Sequence, residues 1–411
     1  MLTKRLILTT QYYDPEIFQV NHFVALLLSK GWNIVVIAPA PSYPSHVIFR
    51  NSSNAKYTHP NLSVIRFPTF KRNGSYLSVF LNSLLFVIIG SLLTLLYSLR
   101  FPAARLFSVQ YSPISCIIPS FLVSFLLRRS FSLWVFDLWP QSISIYLSKS
   151  FVLRFIYSII NSLVSLVYHY SSLVFVSSPS FSRFLPASVL SKVKVLHSWE
   201  PLLISPRFSS SPATYSSIKL ASIGNIGAAH DIKALKCLIT FTSKFNLTWT
   251  FVGGGSGMAV LNDFCVINKF THVHFTGFLK KEDCLSLCRD SDFSIVPFLQ
   301  SDIANTICYR FVSSLSVGTP ILSFGDNSVS KLVAEHGCGL VYHPSDSSLL
   351  PNLDSCSHFS SHSSLFEYIF SNIPRIRSDF RQSAFKLFEA SFSLSAAQSV
   401  ISESFSLDLN K

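Results

Sequence analysis

Strand-length apolar runs alternate with helix-length ones along this chain in two successive series, and a proline- and serine-rich break separates them. The first series holds "RLILTT" (5–10), a helical spacing over 17–30 that stops at Gly31, "NIVVIAP", "LSVIRF" (62–67), "ARLFSVQ" (104–110), "FSLWVFDLWP" (131–140), a helix over about 151–170, "SLVFVSS" and "VKVLH". The break, "SWEPLLISPRFSSSPATYS" (198–216), contains three prolines and a serine run and reads as a linker. The second series runs "IKLASIG", a helix near 230–243, "TWTFVGGG" (248–255), "HVHFTGF" (272–278), a helix at 281–290, "FSIVPF" (293–298), a helix at 306–317, "PILSF" (320–324), a short helix near 328–336 and "GLVYH" (339–343). Alternation of this kind predicts a parallel sheet with right-handed crossovers in each series. The expected architecture is α/β, with two doubly wound domains over 1–197 and 217–411. The second is closed by terminal helices where "FEYIFSN" and "FRQSAFKLFEASF" resume a spacing of three and four. At 411 residues each half can bury its own core, and the cleft between two such domains is the default ligand site.

One stretch departs from this pattern. Residues 75–99, "SYLSVFLNSLLFVIIGSLLTLLYSL", carry no charge and lie between Lys71, Arg72 and Arg100. As a helix this segment is long enough to cross a bilayer. The strand-like runs on either side belong to one sheet, however, and a single crossing would place them on opposite sides of the membrane. The expectation is therefore a buried or interfacial helix whose apolar face touches lipid. Composition agrees: 49% hydrophobic residues against 13% charged ones, with a mean hydropathy of +0.42, is greasy for a soluble protein and polar for a multi-span one. Lys and Arg number 33 against 20 Asp and Glu, a net charge of +13, which favours an anionic partner. The basic pairs at 71–72, 128–129 and 280–281 are short and scattered, which argues against a nucleic-acid stripe. Eight cysteines include no C-x-x-C, and the N-terminal apolar run is too short for a signal peptide, so a reducing, cytoplasmic location is expected.

The residues able to do chemistry gather where the strands end: "YYDPE" (12–16), "APSYPS" (40–45), "FDLWPQS" (136–142), "GNIG" (224–227), "GGGSG" (253–257) and "NTICYRF" (305–311). "GNIG" reads either as a tight turn or as backbone approaching an anion, and "GGGSG" as a turn or a loop held against a flat base. Neither fits G-x-G-x-x-G with an acidic partner, so a nicotinamide cofactor is disfavoured, and no Walker-type G-K-[ST] occurs. Arg310 can neutralise a diphosphate or sit as a solvated charge, and Asp137 can accept a proton, hold a sugar hydroxyl or cap a loop. "DSD" (290–292) resembles a D-x-D metal signature but falls at the N-terminal end of a strand, away from the other clusters. No metal site and no cofactor are expected.

In this order the clusters resemble glycosyltransferase family 4, of the GT-B fold. The likeness rests on "YYDPE", "HFVALLLSKGWNIVVIAPAPSYP", "DLWPQS", "HSWEP", "GNIGAAHDI", "FVGGGS", "HFTGF", "VGTPILS" and "HGCGL", across about residues 5–345. "DLWPQS" followed by "GNIG" is nearest the branch that moves amino- or deoxysugars onto lipid-linked O-antigen or capsule intermediates. The resemblance implies two Rossmann-like domains facing across a cleft. It implies a nucleotide-diphosphate sugar held mainly by the second domain and an acceptor, often polyprenyl-linked, held by the first. The implied reaction is metal-independent and retaining, at the inner face of the plasma membrane. Gly224, Asn225 and Gly227 would approach the donor phosphates, Gly253 and Gly254 the nucleoside, and Arg310 the diphosphate from the side opposite Gly224 and Asn225. Asn305, Thr306 and Ser313 complete the donor set. Glu16, His22 and Trp139 belong to the acceptor side or the cleft, with Asp137 beside Arg310 as a catalytic candidate. The family's two glutamates eight apart are replaced here by Asn305 and Ser313, so that Ser313 would have to serve the ribose, and the first loop lacks the usual glycine pair. Two other functions share the architecture: a nucleotide-sugar 2-epimerase and a degenerate, non-catalytic partner subunit.

Overall fold

The computed structural model describes residues 4–42, 58–70, 76–141, 151–207, 217–227, 229–298, 305–343 and 358–407. Parts of "APSYPS" and "FDLWPQS" lie outside these residues, as does most of the serine-rich text after 343. Two compact units emerge, Met1–Leu196 with Val400–Lys411, and His197–Ser399.

The first unit is built on seven parallel strands: β1 (Arg5–Thr9), β2 (Asn33–Pro39), β3 (Leu62–Phe67), β4 (Arg105–Gln110), β5 (Phe131–Val135), β6 (Leu173–Val176) and β7 (Val193–Val195). Their order is β3-β2-β1-β4-β5-β6-β7. The second unit repeats that order in β8 (Ile218–Ile223), β9 (Leu247–Val252), β10 (Val273–Gly277), β11 (Phe293–Val296), β12 (Ile321–Phe324), β13 (Gly339–Tyr342) and β14 (His358–Phe359), arranged β10-β9-β8-β11-β12-β13-β14. Strands covered on both faces must be apolar throughout, and β5, β6, β11, β12 and β13 are buried along their full lengths. In both units the strand order reverses beside the first strand, and loops at the C-terminal ends of the strands there are where an α/β sheet holds a ligand.

The crossover helices of the first unit are α1 (Gln19–Ser29), α2 (Tyr76–Arg100), α3 (Ile118–Leu127) and α4 (Phe151–Tyr170). Those of the second include α5 (Ile232–Thr242), α6 (Ser256–Ile267), α7 (Lys281–Arg289) and α8 (Tyr309–Ser316). α3 and α6 were not expected from the sequence. α3 is apolar nearly throughout, so its residues show no period, and α6 starts at Gly255 without a side-chain cap to announce it. The strands at both ends of α2 do lie in one sheet, and 17% of its most apolar window is buried, so α2 is no core helix.

Two boundaries differ from the sequence reading. Residues 198–207 are part of the second unit, because Trp199 and Glu200 are buried in it. The C-terminus returns to the first unit, where Phe405 packs against Phe23, Trp32, Phe107 and Phe175.

Candidate functional site

In the second unit the loops after β8 and β9 lie back to back. Gly224 N–H donates to Val252 O (2.8 Å), Ile226 N–H to Gly254 O (2.9 Å) and Gly257 N–H to Ile226 O (2.9 Å). This contact decides what two of the glycines are for. A Cβ on Gly253, whose φ is +116°, would stand 2.5 Å from Gly224 O, and one on Gly255, at φ +109°, would stand 2.1 Å from Asn225 Oδ1. No L side chain fits either place. Gly253 therefore serves loop against loop. Gly254 instead faces the ring of Phe278, 3.0 Å from the position of its missing Cβ, and that ring is 85% exposed.

Arg310, on the first turn of α8, reaches back over the β8 loop. Its Nη1 donates to Ser222 Oγ (3.2 Å) and its Nη2 to the carbonyl of Asn225. A Cβ on Gly224 would stand in ordinary contact with Nη2, at 3.6 Å, so it is the φ of +101° that calls for glycine there. The arginine thus adjoins Gly224 and Asn225 on their own side, and the expectation of a cation facing them from the opposite side is corrected. Burial lowers the Arg310 pKa, and among the described residues no carboxylate pairs with it. One hydroxyl and one carbonyl hold the guanidinium, which leaves its charge without a counter-ion and suits it to an anion.

His230 was missed by sequence reasoning, although it stands in "GNIGAAHDI". Its Nδ1 lies within hydrogen-bond reach of both the N–H (3.1 Å) and the carbonyl oxygen (3.3 Å) of Gly227, and the ring stacks on Phe298 at 5.4 Å. Burial first, and the Arg310 cation second, push its pKa down to about 4. The imidazole beside Arg310 is therefore neutral at pH 7 and adds a polar group without competing for an anion.

A second omission is larger. Glu200, with no exposed surface, binds Lys281 Nζ (2.6 Å) and accepts from Tyr309 OH (2.8 Å), Ser313 Oγ (3.0 Å) and Leu202 N–H (3.0 Å). Lys281 also donates to Tyr309 OH at 2.7 Å. Burial and the Glu200 charge raise the Tyr309 pKa far above its usual value. A buried carboxylate survives only when paired and hydrogen-bonded, and four partners meet that need. Ser313 is corrected by this network: its hydroxyl is buried and spent on Glu200, so it does not present itself to a sugar. Asn305 and Thr306 stand partly exposed in the turn before α8, where Ser328 Oγ donates to Asn305 O (3.1 Å). In "DSD" both carboxylates have basic partners. Asp292 is clipped by Arg377 at 2.7 Å and accepts from Lys219 N–H, and Asp290 pairs with Arg207.

In the first unit, Asp137 and Trp139 grip the same residue of the loop after β4. Asp137 Oδ2 accepts from Ser112 N–H (2.8 Å), and Trp139 Nε1 donates to Ser112 Oγ (3.0 Å). Burial raises the Asp137 pKa against the opposing bonds from Ser112. Glu16 is corrected as a displayed acceptor residue: it is buried and ties loops together, accepting from Ser42 N–H (2.9 Å) and Tyr13 N–H (3.3 Å). His22 lies half-buried on the first turn of α1. At this edge of the sheet, among the described residues, buried Gln11 Oε1, Ser115 Oγ, Gln141 Oε1 and Ser178 Oγ have no hydrogen-bond partner. They follow β1, β4, β5 and β6, so four loops converge there with polar capacity left over.

Comparison with known proteins adds the fold class. No family model matches the sequence, and no curated protein matches it. Solved structures do. HepE from Anabaena, solved in complex with UDP, is 12% identical with a TM-score of 0.63, covering 98% of this chain and 100% of that one. WaaG, a glycosyltransferase involved in lipopolysaccharide biosynthesis, is 11% identical with a TM-score of 0.60, covering 97% and 98%. The catalytic domain of starch synthase IV from Arabidopsis thaliana, bound to ADP and acarbose, is 11% identical with a TM-score of 0.62 and full coverage of both chains. The two Rossmann-like units are thus those of the GT-B fold.

Proposed function

We propose that the chain is a glycosyltransferase that moves a sugar from a nucleoside-diphosphate sugar to a saccharide acceptor carried on a polyprenyl lipid, at the inner face of a membrane. The observation that carries this reading is Arg310, a cation set without a carboxylate partner among the described residues, against the Gly224–Gly227 loop. The leaving group of such a transfer is a nucleoside diphosphate, and a fixed guanidinium with backbone dipoles can take up its developing charge without a metal ion. As the bond from the anomeric carbon to the diphosphate oxygen breaks, the acceptor oxygen bonds to that carbon and its proton passes to the departing phosphate. Retention follows when both events occur on one face of the sugar, as the family resemblance implies. HepE holding UDP and WaaG acting in lipopolysaccharide biosynthesis support a nucleotide donor and a surface-polysaccharide product. The loops after β1, β4, β5 and β6, which carry these four unpartnered polar groups and the Asp137 carboxyl, are the place for an acceptor sugar in this reading.

Calorimetry with UDP, GDP, ADP and dTDP, followed by transfer assays from the matching sugars to polyprenyl-diphosphate saccharides, tests the proposal. One nucleotide should bind and one sugar should transfer. Absence of binding by every nucleoside diphosphate would overturn it, and conversion of a donor sugar without any acceptor would replace transfer by epimerisation.

A further inference from the structure

The side chains of α2 are arranged the wrong way round for a helix of a water-soluble sheet. Its buried positions are Ser78, Phe86, Gly90, Thr94 and Ser98, four of them small. Its outer stripe is Leu77, Phe80, Leu84, Ile88, Leu92, Leu96 and Leu99, each between 47% and 65% exposed. Partly buried Ile89, Leu93, Leu95 and Tyr97 flank the buried row and pack on the core, and large apolar residues on the outward face as well are the pattern of a helix whose outer medium is lipid. The face continues beyond α2. Gly90 abuts Pro119 of α3, and Phe121 and Phe125 of α3 meet Tyr170 of α4. Three exposed large apolar side chains on α3 and six on α4 extend the surface.

Charge selects the kind of lipid. The first unit holds 18 Lys and Arg against 5 Asp and Glu, whereas the second holds 15 of each, so the whole net charge of +13 belongs to the unit with the apolar face. No acidic residue occurs between Glu16 and Asp137 or between Asp137 and Glu200. At the last turn of α2 a cavity of about 240 Å³ opens against the N-terminal ends of β1–β3. Arg5, Arg100, Asn33, Asn61, Ser63 and Phe101 line it. Both guanidiniums lie over the Phe101 ring, at 4.1 and 5.5 Å, and neither has a carboxylate partner among the described residues. The side-chain amides of Asn33 and Asn61 and the hydroxyl of Ser63 are likewise without hydrogen bonds among the described residues.

We infer that this cavity takes the phosphate headgroup of an anionic phospholipid in a leaflet whose acyl layer receives the outer stripe of α2, so that α2 lies in the plane of the interface. Two arginines and three neutral polar groups match a phosphodiester, and Leu96 and Leu99 stand beside Arg100 where its acyl chains would begin. The inference rests on the membrane location proposed above but not on sugar transfer, and it is read by binding alone.

The test is co-sedimentation of the full chain with vesicles of phosphatidylcholine alone or mixed with phosphatidylglycerol, at one salt concentration. The wild type should favour the mixed vesicles, and Arg5→Ala/Arg100→Ala should lose ~10- to 30-fold of that preference while keeping its binding to phosphatidylcholine. Arg5→Lys/Arg100→Lys should recover part of it, and Arg183→Ala/Lys192→Ala, elsewhere in the same unit, should change it little. Arg100→Ala alone serves should the double variant not fold. Ile88→Glu/Leu92→Glu should abolish binding to both vesicles. Dihexanoyl phosphatidylglycerol should compete where equal inorganic phosphate does not. Unchanged preference in the arginine variants, equal loss in the control pair, or displacement by inorganic phosphate would each overturn the headgroup site. A lipid-independent dimer abolished by Ile88→Glu/Leu92→Glu would give the face to a second copy of the chain instead.

Discussion

The two units share one strand order and differ in almost everything that faces outward. The second is electrically neutral, and it holds 11 of the 14 glycines, among them those that bring the β8 and β9 loops into backbone contact beside Arg310. The first has only three glycines, all of the net charge, and a helix turned inside out. One topology can therefore be specialised twice: by backbone where a compact anion must be approached closely, and by helix surface where an extended partner must be covered. Parallel sheets permit this because strand pairing uses only backbone, leaving loops and helix faces free to vary.

The largest effect that would sharpen this contrast is on Arg310. Arg310→Ala should lower the transfer rate by about 10²–10³, equivalent to ~3–4 kcal/mol of transition-state stabilisation, with nucleotide affinity falling in calorimetry and the melting temperature nearly unchanged. Activity within twofold of wild type would break the assignment of the anion site to the second unit. Next comes Glu200→Gln, which leaves Lys281 facing a neutral amide inside the second unit. Urea unfolding should show a loss of about 3 kcal/mol, discounted from a fully buried pair because Lys281 is partly exposed. The segment after His197 should also become sensitive to protease.

A third effect depends on pH. The folded state holds His230 near 4 while the unfolded chain titrates near 6.5, so the unfolded state binds more protons between those values. This contribution is intact above pH 6.5 and is lost as pH falls through the window toward 4, about 2 kcal/mol by pH 5. His230→Gln should flatten that limb of a urea-midpoint series, whereas an unaltered acid limb would show that His230 is not the group responsible. The smallest expected change separates the two faces of α2. Ile88→Ser should move stability by no more than about 0.5 kcal/mol, since that side chain meets no core, while Phe86→Ala should cost ~3–5 kcal/mol. Comparable losses in both variants would mean that α2 is an ordinary amphipathic helix and would remove the contrast between the units.

Most strands of both sheets were legible because a strand covered on both faces must be apolar from end to end, and β3 and α4 fall at the limits read from their sequences. The site was legible only in part. Gly224, Asn225 and Arg310 came from positions at strand and helix ends, and they do meet. Glu200 was hidden because a proline-rich context gives no hint that a carboxylate will be buried among residues from two later helices. His230 was in plain view, but its lowered pKa comes from burial first and from a cation 80 residues away second, neither of which local sequence shows.

The sequence alone determined the alternation, the two sheets, the charge imbalance and the uncharged span over α2, since each follows from local composition and period. Tertiary structure alone decided which glycines serve loop packing, that the hydroxyl of Ser313 belongs to Glu200, that Phe405 returns to the first core, and which stripe of α2 points outward. Those outcomes depend on which distant groups come within bonding distance. In α2 an apolar period of four is the same on either side of the helix until a sheet is placed against one of them.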